Sequence, residues 1–251
     1  MPPTIENPQA PQKQRKAPAK PRKTKPSKLT SLLRFDRRIL ADRSDGCMLI
    51  GLDEVGRGSL IGPVVGGAVC IPESLTREQR KLLHWLDDSK KLTAGTRAEL
   101  SEAIHSFCRV GIGSAEKDEV DTINVHYASL LALYRAFCAL CEPAGLCPQT
   151  GDLFLIMDGK AVIPDYRREV QQAIIKGDGQ SAAIAAASVV AKHYRDTLVK
   201  SLAQDFPGYG WDENMGYGTP AHLQGIRELG VTSHHRKNFR RIHEQLMLPL
   251  G

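Results

Sequence analysis

Residues 48–59 read MLIGLDEVGRGS. An apolar run leads into two adjacent carboxylates, Asp53 and Glu54, and then into a loop with glycines at Gly56 and Gly58. A short apolar run that ends in acids and glycines is typical of a buried strand followed by a turn. Because glycine has no Cβ, another group can come close to the backbone at such positions. The stretch therefore predicts a strand that presents two acids and an open backbone loop to a ligand.

Outward from this strand, apolar runs alternate with helical patterns along the chain. Further strands are predicted at 63–71, 109–114, 152–157 and 173–175, and helices at 77–86, 94–108, 120–140 and 181–206. A helical C-terminal segment begins at about residue 219. This order predicts an α/β fold in which helices pack on a sheet.

The N-terminal stretch has a different composition from the rest of the chain. Residues 1–30 contain eight Lys or Arg, one acid and seven of the fifteen prolines. The whole chain of 251 residues carries +6, so the part after residue 30 carries −1. Such a stretch cannot build a core, and we expect a disordered basic tail over 1–45 and one folded domain over 46–251. The tail either solubilises the protein or adds salt-sensitive phosphate binding.

No secretory signal is evident, and no stretch approaches the roughly 20 apolar residues of a membrane span, so we expect a cytoplasmic protein. The pair Cys138 and Cys141 has a zinc-like spacing but lies in a predicted apolar helix without a nearby histidine. Small core thiols are therefore expected rather than a zinc site.

Three predicted strands end in acids. Asp53 and Glu54 close the first strand, Asp158 closes LFLIMD, and Asp178 follows the strand near 175. Ligands of such sheets gather at strand ends, and oxygen-only ligands suit Mg²⁺ or Mn²⁺. Two such ions about 4 Å apart activate a water and stabilise a leaving oxygen in phosphodiester cleavage.

Taken singly, Asp158-Gly159 and Asp178-Gly179 are more typical of turns or helix caps. Successive strand residues alternate faces, so Asp53 and Glu54 converge on one site only if the chain bends at Glu54. The neighbouring glycines are expected to supply this bend.

Five motifs in order resemble the ribonuclease HII family over about residues 49–239. They are DEVGRG at 53–58, DSK at 88–90, DGK at 158–160, KGDGQSAAIAAASVVAKHYRD at 176–196 and GYGTPAH at 216–222. The resemblance implies a ribonuclease H-like fold with a mixed sheet. It also implies a two-metal endonuclease that cuts RNA, paired with or embedded in DNA, on the 5′ side of a ribonucleotide and leaves a 3′-hydroxyl and a 5′-phosphate.

Carried over by motif, the four metal ligands of the family match Asp53, Glu54, Asp158 and Asp178. These are the acids that the strand pattern already brings together. Lys160, Lys176 and Lys192 lie inside or beside the motifs and are weaker candidates for phosphate contacts.

The resemblance also implies which residues recognise the substrate. In the family, the backbone of the loop that matches Gly56, Arg57 and Gly58 binds the 2′-hydroxyl, the group that distinguishes RNA from DNA. A tyrosine that matches Tyr217 stacks on the next sugar, and Lys90 in DSK matches a phosphate contact. Taken alone, Tyr217 is a surface packing residue and Lys90 belongs to a solvated turn.

Two details bear on the type of ribonuclease and on finer contacts. Arg57 and the absence of a folded N-terminal domain favour ribonuclease HII over the related ribonucleases HIII. Asn238 stands where the family has serine in its His-Arg-x-Ser-Phe stretch, and Met215 stands where a basic residue is common. These departures leave the acids intact and bear only on nucleic-acid contacts.

The C-terminal sequence QLMLPL at 245–250, with Gln245 and Leu250 at its ends, resembles peptides that bind the bacterial sliding clamp. The alternative is the end of an amphipathic helix.

We otherwise expect a monomer that binds RNA–DNA hybrids and ribonucleotide-containing DNA, without a membrane. Two rival functions are a DNA nuclease or transposase of the same fold, which would cut all-DNA substrates, and a non-catalytic nucleic-acid-binding protein.

Overall fold

The computed structural model describes residues 27–86, 89, 92–146, 152–239 and 242. Five strands form one mixed sheet: β1 (Met48–Val55), β2 (Val64–Cys70), β3 (Arg109–Ala115), β4 (Leu153–Asp158) and β5 (Gln171–Ile174). The order across the sheet is β3-β2-β1-β4-β5. β1 and β3 pair antiparallel with β2, whereas β4 is parallel to both β1 and β5. The predicted ribonuclease H-like α/β fold with a mixed sheet is confirmed.

Helices cover both faces of the sheet. They are α1 (Lys28–Ala41), α2 (Arg77–Leu82), α3 (Ala94–Phe107), α4 (Lys117–Cys141), α5 (Ala182–Asp205), α6 (Trp211–Asn214) and α7 (Pro220–Leu229). α4, which is interrupted at Asn124, packs on one face through a core that includes Leu133 and Phe137. α1, α3 and α5 pack on the other face.

Glycines let the two long helices touch the sheet. A Cβ added at Gly51 of β1 would lie 2.1 Å from the carbonyl carbon of Ala183 in α5. One added at Gly113 of β3 would lie 2.3 Å from the amide nitrogen of Ala136 in α4. At these distances helix and strand backbones are in direct contact, so close packing fixes where the helices sit relative to the strand ends.

Helix α1 corrects the expected boundary of the N-terminal tail. Ser27 caps the helix, and Leu29 and Leu32 are buried against α3 and α5. The expectation of a disordered tail over 1–45 is therefore wrong for residues 28–41. The apolar residues after 28 recur at helical spacing and find a core, whereas residues 1–26 lie outside the described residues. The remainder of that domain assignment stays a prediction.

Helix α4 also departs from expectation, because it has the length and composition of a membrane span. Its residues nevertheless pack against the sheet: Ala128, Ala132, Ala136 and Phe137 are fully buried. The core helix of a folded domain meets the same criteria of length and hydropathy. Cys138 and Cys141 lie in this helix, and within the described residues no zinc-like cluster forms around them.

Candidate active site

The sheet topology brings the predicted acids to one edge. β1, β4 and β5 run parallel, so their carboxyl ends meet. The register pairs Leu52 with Met157, which places Asp53 and Asp158 next in line on neighbouring strands. Asp178 lies in a 3₁₀ turn, Gly177–Gly179, just beyond β5.

The four acids are close enough to interact electrostatically. Asp53 is only 8% exposed, and burial is the main reason that its pKa lies well above its usual value. The negative charges of Glu54, Asp158 and Asp178 raise the pKa of Asp53 further. Burial also raises the pKa of Glu54, and Arg57 opposes this shift. The strand ends therefore form a buried region of concentrated negative charge, which favours binding of cations.

Each carboxylate has its own protein contact. Asp53 Oδ1 accepts a 2.8 Å bond from the amide of Glu54, and Asp158 Oδ1 accepts a 2.7 Å bond from the amide of Gly177. Arg57 Nη1 lies 2.9 Å from Glu54 Oε1. Among the described residues, no three His, Cys, Asp or Glu side chains form a ready-made metal-binding group. The acids are thus gathered at one edge, but their oxygens do not converge on one point.

The expected bend at Glu54 is wrong. β1 stays extended and paired with β2 through Val55, and the chain turns at Gly56, where φ is +92°. Asp53 pairs with Gly67 on the face covered by α5, and Glu54 pairs with Gly66 on the face covered by α4. The two acids therefore flank the sheet end from opposite faces, because β2 continues to hold β1 in register beyond them.

The two glycines of the loop differ in what requires them. Gly56 has a left-handed backbone, and an added Cβ would lie 2.3 Å from Arg195 Nε, so the protein itself requires glycine there. Gly58 lacks this backbone constraint, and its Cβ would meet only the Tyr217 ring, at 3.7 Å. The Tyr217 ring therefore faces Gly58 at ordinary contact distance for a side chain, and no packing contact demands glycine there.

Tyr217 lies beside the glycine loop, as the motifs predict. Its backbone forms a bridge with Ser59, and its ring centroid is 5.9 Å from Lys192 Nζ and 6.0 Å from Arg195 Cζ. Trp211 Nε1 donates to His222 Nε2 over 2.9 Å, so the His222 proton belongs on Nδ1. That nitrogen lies 3.1 Å from the Tyr217 carbonyl and donates to it. A buried network thus holds the tyrosine backbone.

Lys90 lies outside the described residues, but its neighbour Ser89 is placed next to the acids. Ser89 Oγ is 2.8 Å from Ser188 Oγ, and Ser188 hydrogen-bonds the Asp53 carboxyl. Arg97 donates to the carbonyls of Ser89 and Leu92. Ser89 is therefore held close to Asp53.

Sequence reasoning missed Ser188, and the structure changes the interpretation of Lys192 and Asn238. Ser188 is the only polar residue in the buried Ala- and Val-rich stretch 182–191 of α5, which is the signal that could have identified it. Lys192 is held by Asp196 at 2.6 Å, so it is less available for a phosphate than its motif suggests. The side-chain Nδ2 of Asn238 donates to the Asp121 carbonyl, which gives this departure from the family pattern a structural role.

The chain was also compared with known proteins. The family model for ribonuclease HII matches residues 50–245. The ribonuclease HII of Ruegeria pomeroyi is 46% identical over 79% of this chain and 78% of its own. That of Rhodospirillum rubrum is 44% identical over 82% of this chain and 89% of its own.

Solved structures have the same fold. The ribonuclease HII in a complex with PCNA from Archaeoglobus fulgidus has a TM-score of 0.61 and 26% identity, covering 81% of this chain and 98% of that one. The ribonuclease H2 of Pyrococcus horikoshii has a TM-score of 0.59 at 21% identity, over 79% of this chain and 96% of that one. The chain therefore belongs to the ribonuclease HII family, endonucleases that cleave RNA in RNA–DNA hybrids.

Proposed function

We propose that the protein hydrolyses the phosphodiester on the 5′ side of a ribonucleotide, either in RNA–DNA hybrids or embedded in duplex DNA. The products are a 3′-hydroxyl and a 5′-phosphate. The observation that carries the proposal is the meeting of four carboxylates at the ends of three parallel strands, beside a loop with an open backbone. The family match supports a ribonuclease over a DNA nuclease or transposase and over a non-catalytic nucleic-acid-binding protein.

Two divalent cations, Mg²⁺ or Mn²⁺, fit the chemistry of this donor set. Asp53, Glu54, Asp158 and Asp178 offer only oxygen ligands. Burial, and then repulsion from the neighbouring acids, raises the pKa of Asp53, and a bound cation would offset both effects. When bound, such ions activate a water and stabilise the leaving oxygen. A ribonuclease HIII of similar fold was solved in complex with Mn²⁺. It is 19% identical with a TM-score of 0.61, and the match covers 79% of this chain and 69% of the ribonuclease HIII chain.

The residues of this chain orient the substrate around the acids. Arg57 is half-exposed and pairs with Glu54. If Glu54 binds a cation, the Arg57 guanidinium can leave this ion pair and bind a substrate phosphate instead. Ser188 keeps the Asp53 carboxyl oriented. Lys90, which follows Ser89 in the sequence, contacts a further phosphate.

The glycine loop and Tyr217 select the ribose. The backbone of Gly56, Arg57 and Gly58 binds the 2′-hydroxyl, which is both a donor and an acceptor. Tyr217, whose ring faces Gly58, stacks on the sugar of the following deoxynucleotide. This arrangement supports incision at a single embedded ribonucleotide and hence a role in DNA repair by ribonucleotide removal.

The protein acts in the cytoplasm as a monomer, and its C-terminal residues 245–250 bind the replication sliding clamp. The archaeal relative solved with PCNA supports a clamp partner, although the proposed segment lies outside the described residues. A pull-down with the bacterial clamp tests this contact. Capture that is unaffected by deletion of residues 245–251 would remove the proposal.

The main experiment uses a DNA duplex with one ribonucleotide, an all-DNA control and an Asp53→Asn protein. We expect metal-dependent incision 5′ to the ribose by the wild type alone. Folded wild-type protein that does not cut with Mg²⁺ or Mn²⁺ would leave only the fold in common with the family. Cleavage of the all-DNA duplex would instead indicate a nuclease that does not read ribose.

A further inference from the structure

A buried arginine lies directly under the glycine loop. Arg236 is fully buried and makes no ion pair among the described residues. A guanidinium without a carboxylate is costly to bury and needs other acceptors. Arg236 finds them in backbone carbonyls: Nη1 lies 2.8 Å from that of Gly56, 3.2 Å from that of Arg57 and 2.9 Å from that of Ser59.

These bonds determine the direction of the loop amides. In a trans peptide the C=O of one residue and the N–H of the next point in opposite directions. Since the carbonyls of Gly56 and Arg57 point to Arg236, the amides of Arg57 and Gly58 point away from it. Neither amide donates to an acceptor within the described part of the chain.

The third peptide joins the loop to Tyr217. The Ser59 carbonyl accepts from Arg236, and the following amide, that of Leu60, donates to the Gly216 carbonyl over 2.8 Å. Arg236 Nε also donates to Gly62 over 2.8 Å, beyond the loop. One guanidinium therefore aligns three peptides of the loop, those that follow Gly56, Arg57 and Ser59. The first two keep their amides available, and the third binds the segment that carries the tyrosine.

We propose that Arg236 is the positioning residue for ribose selection, because it turns the amides of Arg57 and Gly58 toward the 2′-hydroxyl. This inference rests on the proposed function of the loop and names the group that organises it. Arg236 itself touches no reacting atom. Arg236 bonds the loop through Nη1 and Gly62 through Nε, whereas lysine keeps the charge on a single nitrogen that cannot reach both, so it cannot replace arginine here.

The test measures ribose discrimination in binding, in the Asp53→Asn background so that the duplex stays intact. Affinities are compared for a duplex with one ribonucleotide and for the same all-DNA duplex. We expect Arg236→Lys and Arg236→Gln to lower the affinity for the ribonucleotide duplex about ten- to hundredfold and to leave the affinity for the all-DNA duplex within about threefold. Equal discrimination with and without Arg236 would overturn the inference.

A matched control separates positioning from general destabilisation. Val199→Ala removes buried volume from the core that also contains Leu60 and Ile61, but it leaves every Arg236 bond in place. We expect the melting temperature of this variant to fall about as much as that of the Arg236 variants, while its ribose discrimination stays at the wild-type level. If it loses discrimination to the same extent as the Arg236 variants, the effect is not specific to Arg236 and the inference fails. Absence of discrimination before any change at Arg236 would refute the proposed function itself.

A second measurement uses the wild-type chain and does not depend on the folding of a variant. Amide exchange followed by nuclear magnetic resonance should show that the Arg57 and Gly58 amides exchange quickly in the free protein. Both should become protected by the ribonucleotide duplex and not by the all-DNA duplex. Amides already protected in the free protein would show that they do not point outward, contrary to the inference.

Discussion

Gly58→Ala should separate folding from ribose recognition. The added Cβ would lie 3.7 Å from the Tyr217 ring, an ordinary contact, and the Gly58 backbone is outside the left-handed range. Because alanine also restricts the unfolded chain, we expect the free energy of unfolding to stay within about 1 kcal/mol of the wild type. The fold should therefore tolerate the substitution.

Activity should respond very differently. The methyl group would stand between the loop backbone and the Tyr217 ring, where it would meet the sugar that we propose to bind there. A displaced ribose would lose at least one hydrogen bond to the loop and leave a polar group unpaired, at a cost of about 1–3 kcal/mol. This corresponds to a loss of about five- to hundredfold in kcat/KM for a duplex with one ribonucleotide.

Two other glycines serve as controls in the same assay. Gly95→Ala lies in α3 with nothing within 4 Å of the new Cβ, so it should stabilise the protein by about 1 kcal/mol and leave kcat/KM unchanged. Gly56→Ala should destabilise the fold, because its Cβ would lie 2.3 Å from Arg195 Nε. A Gly58→Ala protein with wild-type kcat/KM would refute the assignment of this space to the substrate.

The remaining predictions concern stability and binding. Burial lowers the pKa of His235 to about 4. Its contribution to the free energy of unfolding, up to about 3 kcal/mol, is therefore present above pH 6.5 and lost as the pH falls toward 4. A His235 ring that is protonated at pH 6 in a titration followed by nuclear magnetic resonance would contradict this. Burial raises the pKa of Asp36 to about 6, so its effect on the free energy of unfolding has the opposite pH dependence. The contribution of Asp36 is present below about pH 3.8 and is lost as the pH rises through 6. Asp36→Asn should accordingly stabilise the protein at pH 7.5 by about 1–3 kcal/mol in urea unfolding, and a gain that does not shrink below pH 5 would rule out this cause. Gly113→Ala should prevent stable folding, since its Cβ would lie 2.3 Å from the Ala136 amide, and soluble protein with a wild-type melting temperature would contradict the close packing of α4. Deletion of residues 1–26 should weaken duplex binding mainly at low salt, and an unchanged salt slope would reduce the segment to a solubility tail.

The sequence by itself determined the α/β class, the order of the elements and the acids that end the strands. These features are local: apolar runs specify strands, helical spacing specifies helices, and Asp53, Asp158 and Asp178 directly follow or end strand patterns. The motifs in register identified the family for the same reason, because each is a short run of adjacent residues.

Only the tertiary structure decided how these residues face one another. Pairing of Val55 with Val65 keeps β1 straight past Glu54 and moves the turn to Gly56, and no local pattern shows how far this pairing extends. The bonds from Arg236 to the glycine loop join positions about 180 residues apart along the chain. Such contacts depend on packing between distant segments, and a guanidinium that serves as a loop support has the same sequence signature as one that contacts a phosphate.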